Sequence, residues 1–408
     1  MKPEILSPAG NMEKLKSALL WGADAVYLAG QRFGMRAAAG NFDIPSMKEA
    51  VAYAHAKGKK VYVTVNVMAR QYEFDDLQAY LYELSDVGAD ALIVGDLGVL
   101  CMAKEILPNT PIHISTQASS VNAKSIDAWH KLGASRVVLA RELTLYEIKE
   151  IKRNISAEVE LEAFVHGSMC VSYSGRCLLS NYLMDRDGNR GACAQPCRWN
   201  YRFLSAQIVE EKRPDSPVYI QEAEGETFIM SSKDMCMIEH VDDLIDAGIN
   251  SFKIEGRMKS AYYCAVTANA YRMAVDDFFA GKPYRKELMH ELESVSHRTY
   301  GTGYFYTNAH TDANLSPRTD YVNDKAYLAK VLSYNKETGL TLCEQRNKYV
   351  CTDSFEYLTP GQIGKKVECA ALFDLDMNPI ESTPHPYMQF YIRLPLEAKE
   401  GDMLRACD

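Results

Sequence analysis

The chain has 408 residues, 47% of them hydrophobic and 24% charged, with 45 Lys and Arg against 54 Asp and Glu for a formal net charge of −9. This composition excludes a disordered or low-complexity protein, and the length is too great for one ordinary compact domain while fitting a (β/α)8 barrel with a small appendage. The longest apolar stretches are cut by charge, as Asp96 cuts Ala91 to Met102, so none approaches the ~20 residues of a membrane span.

The N-terminus runs from Lys2 through Pro3-Glu4-Ile5-Leu6-Ser7-Pro8 with no continuous apolar leader, which predicts a cytoplasmic protein without membrane contact. Short apolar runs then alternate with amphipathic segments. Strands are predicted at Glu4 to Ser7, Ala25 to Leu28, Lys60 to Val67, Ala91 to Val94, Ile112 to Thr116, Arg136 to Ala140, Val159 to Val165 and Ser251 to Ile254. Helices are predicted between them, including Asn11 to Trp21, Ser46 to Lys57, Asp75 to Val87, Ala123 to Leu132 and Thr144 to Ile151. Ser46 with Glu49 and Thr144 with Glu147 have capping-box spacing. Four helices end in a similar phrase, at Gly22, Gly88, Gly133 and Gly248, as a glycine C-cap before a tight αβ turn requires. Eight βα units with short connections predict an α/β fold, a closed TIM-like (β/α)8 barrel over residues 1–300, in preference to an open doubly wound sheet. An insertion of residues 168–235 follows strand seven, and its part from Tyr201 to Ser231 reads as a hairpin. Residues 301–324 read as a linker, and 325–408 as a small C-terminal all-β barrel domain.

Eleven cysteines are many for a chain expected in a reducing compartment. Four of them, Cys170, Cys177, Cys193 and Cys197, follow C-x6-C-x15-C-x3-C within the insertion, directly beyond the C-terminal end of strand seven. Four thiolates in one loop region on the catalytic face of a barrel suit one inorganic centre. An iron–sulfur cluster, which tolerates varied spacing and a proline beside a ligand, is the expected centre, with zinc as the alternative. Cys236, just before the next helix, is an alternative fourth ligand. Cys101, Cys264, Cys343, Cys351, Cys369 and Cys407 read as ordinary.

The same insertion is locally basic. Val165 to Arg202 holds five arginines and two aspartates, a local +3 that leaves −12 for the rest. Arg176, Arg190, Arg198 and Arg202 with Trp199 make a composition suited to RNA, arginine for phosphate and aromatics for unstacked bases; arginines paired with nearby acids are the plain alternative. Polar residues at predicted strand ends, among them Ser7, Asn66, Asp96, Gln117 and Arg141, are further candidates. For catalysis the candidates are Glu162, His166 as acid or base, and the run Lys253-Ile254-Glu255-Gly256-Arg257.

The stretch from Glu162 to Ser180 resembles the signature of the collagenase-like U32 peptidase family, Glu-x-Phe-x-x-Gly-Ser/Ala-x-Cys-x4-Gly-x-Cys-x-x-Ser. The resemblance extends to Leu6-Ser7-Pro8-Ala9-Gly10, Gly22-Ala23-Asp24-Ala25-Val26-Tyr27 and Lys253 to Arg257. It is greatest to the branch that hydroxylates tRNA. That resemblance implies a 4Fe–4S cluster on Cys170, Cys177, Cys193 and a fourth cysteine, 5-hydroxyuridine formation at the wobble position of tRNA, and prephenate as a co-substrate. The family label itself implies a peptidase, and an RNA-binding factor without catalysis is a further alternative. A homo-oligomer or a family paralogue is an expected partner.

Overall fold

The computed structural model describes residues 1–35, 40–156, 158–199, 232–308, 322, 325–368 and 371–407, with the backbone alone of 222–223 and 226–227. In chain order the first elements are β1 (Glu4–Pro8), α1 (Met12–Leu20), β2 (Ala25–Ala29), α2 (Ile44–His55), β3 (Lys60–Val65), α3 (Phe74–Ser85) and β4 (Ala91–Val94). Then come α4 (Leu97–Ile106), β5 (Ile112–Ile114), α5 (Ala123–Lys131), β6 (Ala134–Val138), α6 (Leu145–Asn154) and β7 (Glu160–Ser168). The insertion carries α7 (Leu179–Met184), the paired strands β8 (Glu222–Ala223) and β9 (Glu226–Thr227), and β10 (Asp234–Cys236). It is followed by α8 (Val241–Asp246) and β11 (Ser251–Ile254). Of the hairpin expected from Tyr201 to Ser231, only the backbone of β8 and β9 falls within the described residues.

β1 to β7 pair in parallel, each with the next, and β11 pairs with both β7 and β1, so the sheet closes on itself as the expected eight-stranded barrel. The turn glycines Gly22, Gly88, Gly133 and Gly248 all take positive φ, which is the backbone state their position after a helix predicts. Helix starts are fixed by side-chain caps: Asn11, Asp43, Asp96, Asn122, Thr144 and Ser260 each accept a bond from a backbone N–H three residues on. The capping box at Thr144 and Glu147 is present. The one expected at Ser46 and Glu49 is not, because Asp43 caps α2 and accepts from Ser46, with Pro45 in the first turn.

An apolar ring between strands and helices forms the main core. Inside the barrel the packing is different: Leu6, Ala25, Tyr27, Tyr62, Ala91 and Ile93 form a small cluster, and beside it lies a ladder of buried charge. Arg136, 4% exposed, bonds Glu4 at 2.6 Å, Glu160 at 2.7 Å and Glu162 at 3.1 Å, and Lys253 bonds Glu162 at 2.6 Å.

β10 lies antiparallel to β7 outside the closed barrel, held by a buried pair between Asp234 and Arg298 at 2.6 Å. Beyond α9 (Ala261–Phe279), α10 (Glu287–Glu293) and β12 (Tyr300–Gly301), the C-terminal strands run β13 (Tyr327–Asn335), β14 (Leu340–Gln345), β15 (Phe355–Leu358), β16 (Lys365–Val367), β17 (Ala371–Phe373), β18 (Gln389–Arg393) and β19 (Met403–Ala406). They form one antiparallel half-barrel in the order β16-β15-β19-β13-β14-β18-β17. It is clamped to the helices: Arg405 bonds Glu291 of α10 at 2.7 Å, the rings of Tyr262 and Tyr327 stack at 5.0 Å, and Trp21, 1% exposed, donates to the Gly401 carbonyl. Among the described residues no helix is long and apolar enough to cross a membrane.

Candidate active site

At the C-terminal ends of the strands lies a cavity of about 190 Å3. Its floor is the top of the barrel interior: Tyr27 from β2, Thr64 and Asn66 from β3 and its exit, Ser115 to Gln117 after β5, Arg141 after β6, Phe164 on β7 and Lys253 on β11. Its wall is the insertion, which contributes Cys170, Cys177, Cys193 and Cys197 together with Arg198. All four thiols expected from the spacing therefore face one space, and none is in a disulfide. They sense one another: burial pushes the Cys197 thiol up, Arg198 pulls it back, and Cys170, Cys193 and Cys177 raise it further.

Cys236 does not join them. It is buried on β10 opposite His166, away from the cavity lining, and burial pushes its thiol up to about 12. The four remaining thiols, on one cavity wall, are the residues that could hold an inorganic group here.

The structure divides the other candidates. Lys253, Glu255 and Arg257 line the cavity with Arg141, Asn66 and Gln117. Glu162 does not; it is wholly buried beneath, where burial would raise its carboxyl but Lys253 and then Arg136 hold it below the usual range. It bonds the Lys253 ammonium from below the cavity floor. His166 is also absent from the lining. The β7–β11 register shifts between Lys253 and Ile254, a bulge that breaks the alternation set by Glu162 and Phe164 and turns His166 to the outer face. There it sits 1% exposed among Tyr263, Tyr271 and Tyr300, with burial driving its pKa down to about 3. His166 therefore lies apart from the cavity lining. Asp96 serves as the α4 cap, and Ser7 is buried away from the lining.

The arginines divide as well. Arg190 forks onto Glu73 and the Met68 carbonyl (3.1 Å), tying the insertion to the loop after β3; Glu73 lies outside the sequence candidates because its partner is 117 residues away. This is the plain ion-pair alternative for Arg190. Arg198 bonds the Met169 carbonyl at 3.0 Å while lining the cavity, and the Trp199 indole donates to the Ala194 carbonyl at 3.1 Å. Arg176 is exposed between the lining residues Gly175 and Cys177. Arg202 lies outside the described residues. Around Arg176 the surface carries exposed Tyr173, Leu178 and Tyr182. Tyr27, Ser115, Thr116 and Phe164 were not site candidates; their place at the C-terminal ends of strands is the signal that marks them.

A closed barrel carrying a four-thiol insertion on its catalytic face, with a half-barrel clamped to its side, defines the class of protein. The chain belongs to peptidase family U32: that family's model matches residues 10–315, and the model of the family's C-terminal domain matches residues 323–405. Curated relatives include tRNA hydroxylation protein P1 of Bacillus subtilis (strain 168), 36% identical over 99% of this chain and 94% of that protein. Another is tRNA hydroxylation protein P of Escherichia coli (strain K12), 37% identical over 88% and 86%. A third, the 23S rRNA 5-hydroxycytidine C2501 synthase of Escherichia coli (strain K12), is 36% identical over 67% of this chain and 39% of that protein.

Proposed function

We propose that the protein is a tRNA hydroxylase that forms 5-hydroxyuridine at the wobble position, using a 4Fe–4S cluster held by Cys170, Cys177, Cys193 and Cys197. The observation that carries this reading is the convergence of four free thiols on one cavity at the catalytic end of the barrel. The names of the relatives above support tRNA as substrate and hydroxylation as reaction. When bound, the cluster supplies one-electron redox chemistry at the cavity wall.

The chain's own residues do the rest. The cavity, at about 190 Å3, is smaller than the ~300–1,000 Å3 of ordinary small-molecule sites. It takes a base or a compact co-substrate and no folded RNA, so the target nucleotide leaves its stack to enter. Arg176 and the exposed Tyr173 and Tyr182 offer phosphate and stacking contacts at the rim. Arg141 and Lys253 supply positive charge for prephenate, a dicarboxylate, and the faces of Tyr27 and Phe164 bound the floor. No histidine is among the described residues lining the cavity. Mass spectrometry of tRNA nucleosides, with and without the gene in a strain lacking its relatives, tests the reading. Loss of 5-hydroxyuridine and its derivatives is expected, and an unchanged profile rejects it.

A further inference from the structure

We infer that Gln117 is a substrate-contacting hydrogen-bond donor whose polarity is dictated by the backbone of Met35 through Asn66. The Met35 N–H is a donor only, and Asn66 Oδ1 accepts from it at 3.3 Å. The other end of that amide, Nδ2, must then donate, and it does so to Gln117 Oε1 at 3.0 Å and Ser115 Oγ at 3.5 Å. Ser115 Oγ donates in turn to the same Gln117 oxygen. With both lone pairs of Oε1 taken, the side chain keeps one function, the two N–H groups on Nε2, which bond no described residue.

Gln117 is 9% exposed and lines the cavity. Two glycines hold it in place by their lack of a side chain. A Cβ at Gly175, where φ is +74°, would stand 2.7 Å from Gln117 Cγ, and one at Gly95 would stand 3.3 Å from Oε1. The insertion loop is thus packed on the stem of the residue while its donor end faces the cavity. A donor pinned this way pairs with a carbonyl or carboxylate oxygen and rejects an amine, because the lone amide N–H2 cannot turn to present oxygen without stranding Asn66.

The inference rests on the hydroxylase reading, and two reactants of that reading carry such an oxygen. One is O4 of uracil, which cytosine replaces with an amine; the other is the carboxylate of prephenate. Two substitutions invert the polarity from different residues. Gln117→Glu keeps an oxygen for Asn66 and Ser115 and turns an acceptor toward the cavity. Asn66→Asp keeps an oxygen for Met35 but offers Gln117 only an acceptor, which turns the Gln117 amide around.

The experiment measures tRNA hydroxylation by the wild-type holoprotein and by each variant, on tRNA with uridine or cytidine at the target position, together with prephenate affinity by titration. Each variant is expected to lower uridine hydroxylation at least ~10-fold, the loss of one buried charged or polar contact worth ~1.4 kcal/mol or more. If uracil O4 is the partner, both variants also shift preference toward cytidine while prephenate affinity holds. If prephenate is the partner, its affinity falls ~10-fold or more and the base preference holds. A Gln117 or Asn66 variant that keeps the wild-type rate, base preference and prephenate affinity overturns the inference. Should either inverted variant fail to fold by thermal melting, Gln117→Met, which removes the donor without adding an acceptor, must show the same loss on uridine or the inference falls. Failure of the functional reading looks different, since the wild type itself then gives no hydroxylated tRNA.

Discussion

Replacing Glu162 by Gln leaves shape intact and removes one charge from the sealed interior of the barrel. Arg136 keeps Glu4 and Glu160, but Lys253, whose side chain is 4% exposed, loses the carboxylate it bonds at 2.6 Å. Breaking a buried pair from one side costs about 3–5 kcal/mol. The rings of Tyr27 and Phe164, 4.6 and 5.4 Å from the Lys253 ammonium, offset part of that loss, so the lower end, ~3 kcal/mol, is expected. At ~2–4 °C per kcal/mol for a domain of this class, the melting temperature falls by ~6–12 °C. Adding Lys253→Met removes the stranded charge, so the double variant is expected to recover ~1 kcal/mol or more relative to additivity. Calorimetry of the four proteins at pH 7 decides it. The effect also has a pH signature. The Glu162 carboxyl is held below its ordinary value, so its contribution is fully present above the unfolded value of ~4.3 and is lost as pH falls through the folded value. The gap between wild type and Glu162→Gln therefore narrows as the solution is acidified below that point. A Glu162→Gln melting temperature within ~1 °C of wild type at pH 7, or strict additivity in the double variant, would mean that Glu162 and Lys253 do not form a stabilising pair.

Arg176→Ala and Arg190→Ala separate RNA contact from scaffolding: the first is expected to lower the salt slope of tRNA binding by about 1, the second to leave it unchanged while destabilising the insertion by ~1.5–3 kcal/mol, read by limited proteolysis. Cys236→Ser is expected to retain the iron bound after anaerobic purification, whereas Ser at Cys170, Cys177 or Cys193 removes it. His166→Phe fills the same aromatic surroundings and removes two ring nitrogens that bond no described residue, so stability should hold or rise and the pH–rate profile keep its shape; a displaced profile would make His166 part of the chemistry.

The barrel was legible because each βα unit carries its own local signal, an apolar run, a cap and a glycine turn, and eight of them in series leave few alternatives. The four thiols were legible because they sit within 28 residues on one loop. What escaped depends on distance or on a single inserted residue. Arg190 reads as a free cation until Glu73 is brought across from the loop after β3. His166 reads as cleft-facing by simple alternation with Glu162 and Phe164, and one bulge reverses it. β10 is three residues long and carries no period of its own. The polarity of Gln117 is visible in no local pattern, since it is set by bonds from residues 31 and 51 positions apart.

Whether hydroxylation of tRNA proceeds at the thiol-lined cavity is decided by complementation. A strain lacking this gene and its relatives would receive wild type, Cys193→Ser or Cys236→Ser, and its tRNA nucleosides would be profiled beside the iron content of each purified protein. Wild type and Cys236→Ser are expected to restore 5-hydroxyuridine, and Cys193→Ser to give neither the modified nucleoside nor bound iron. Full restoration by a folded Cys193→Ser protein would contradict hydroxylation at that cavity.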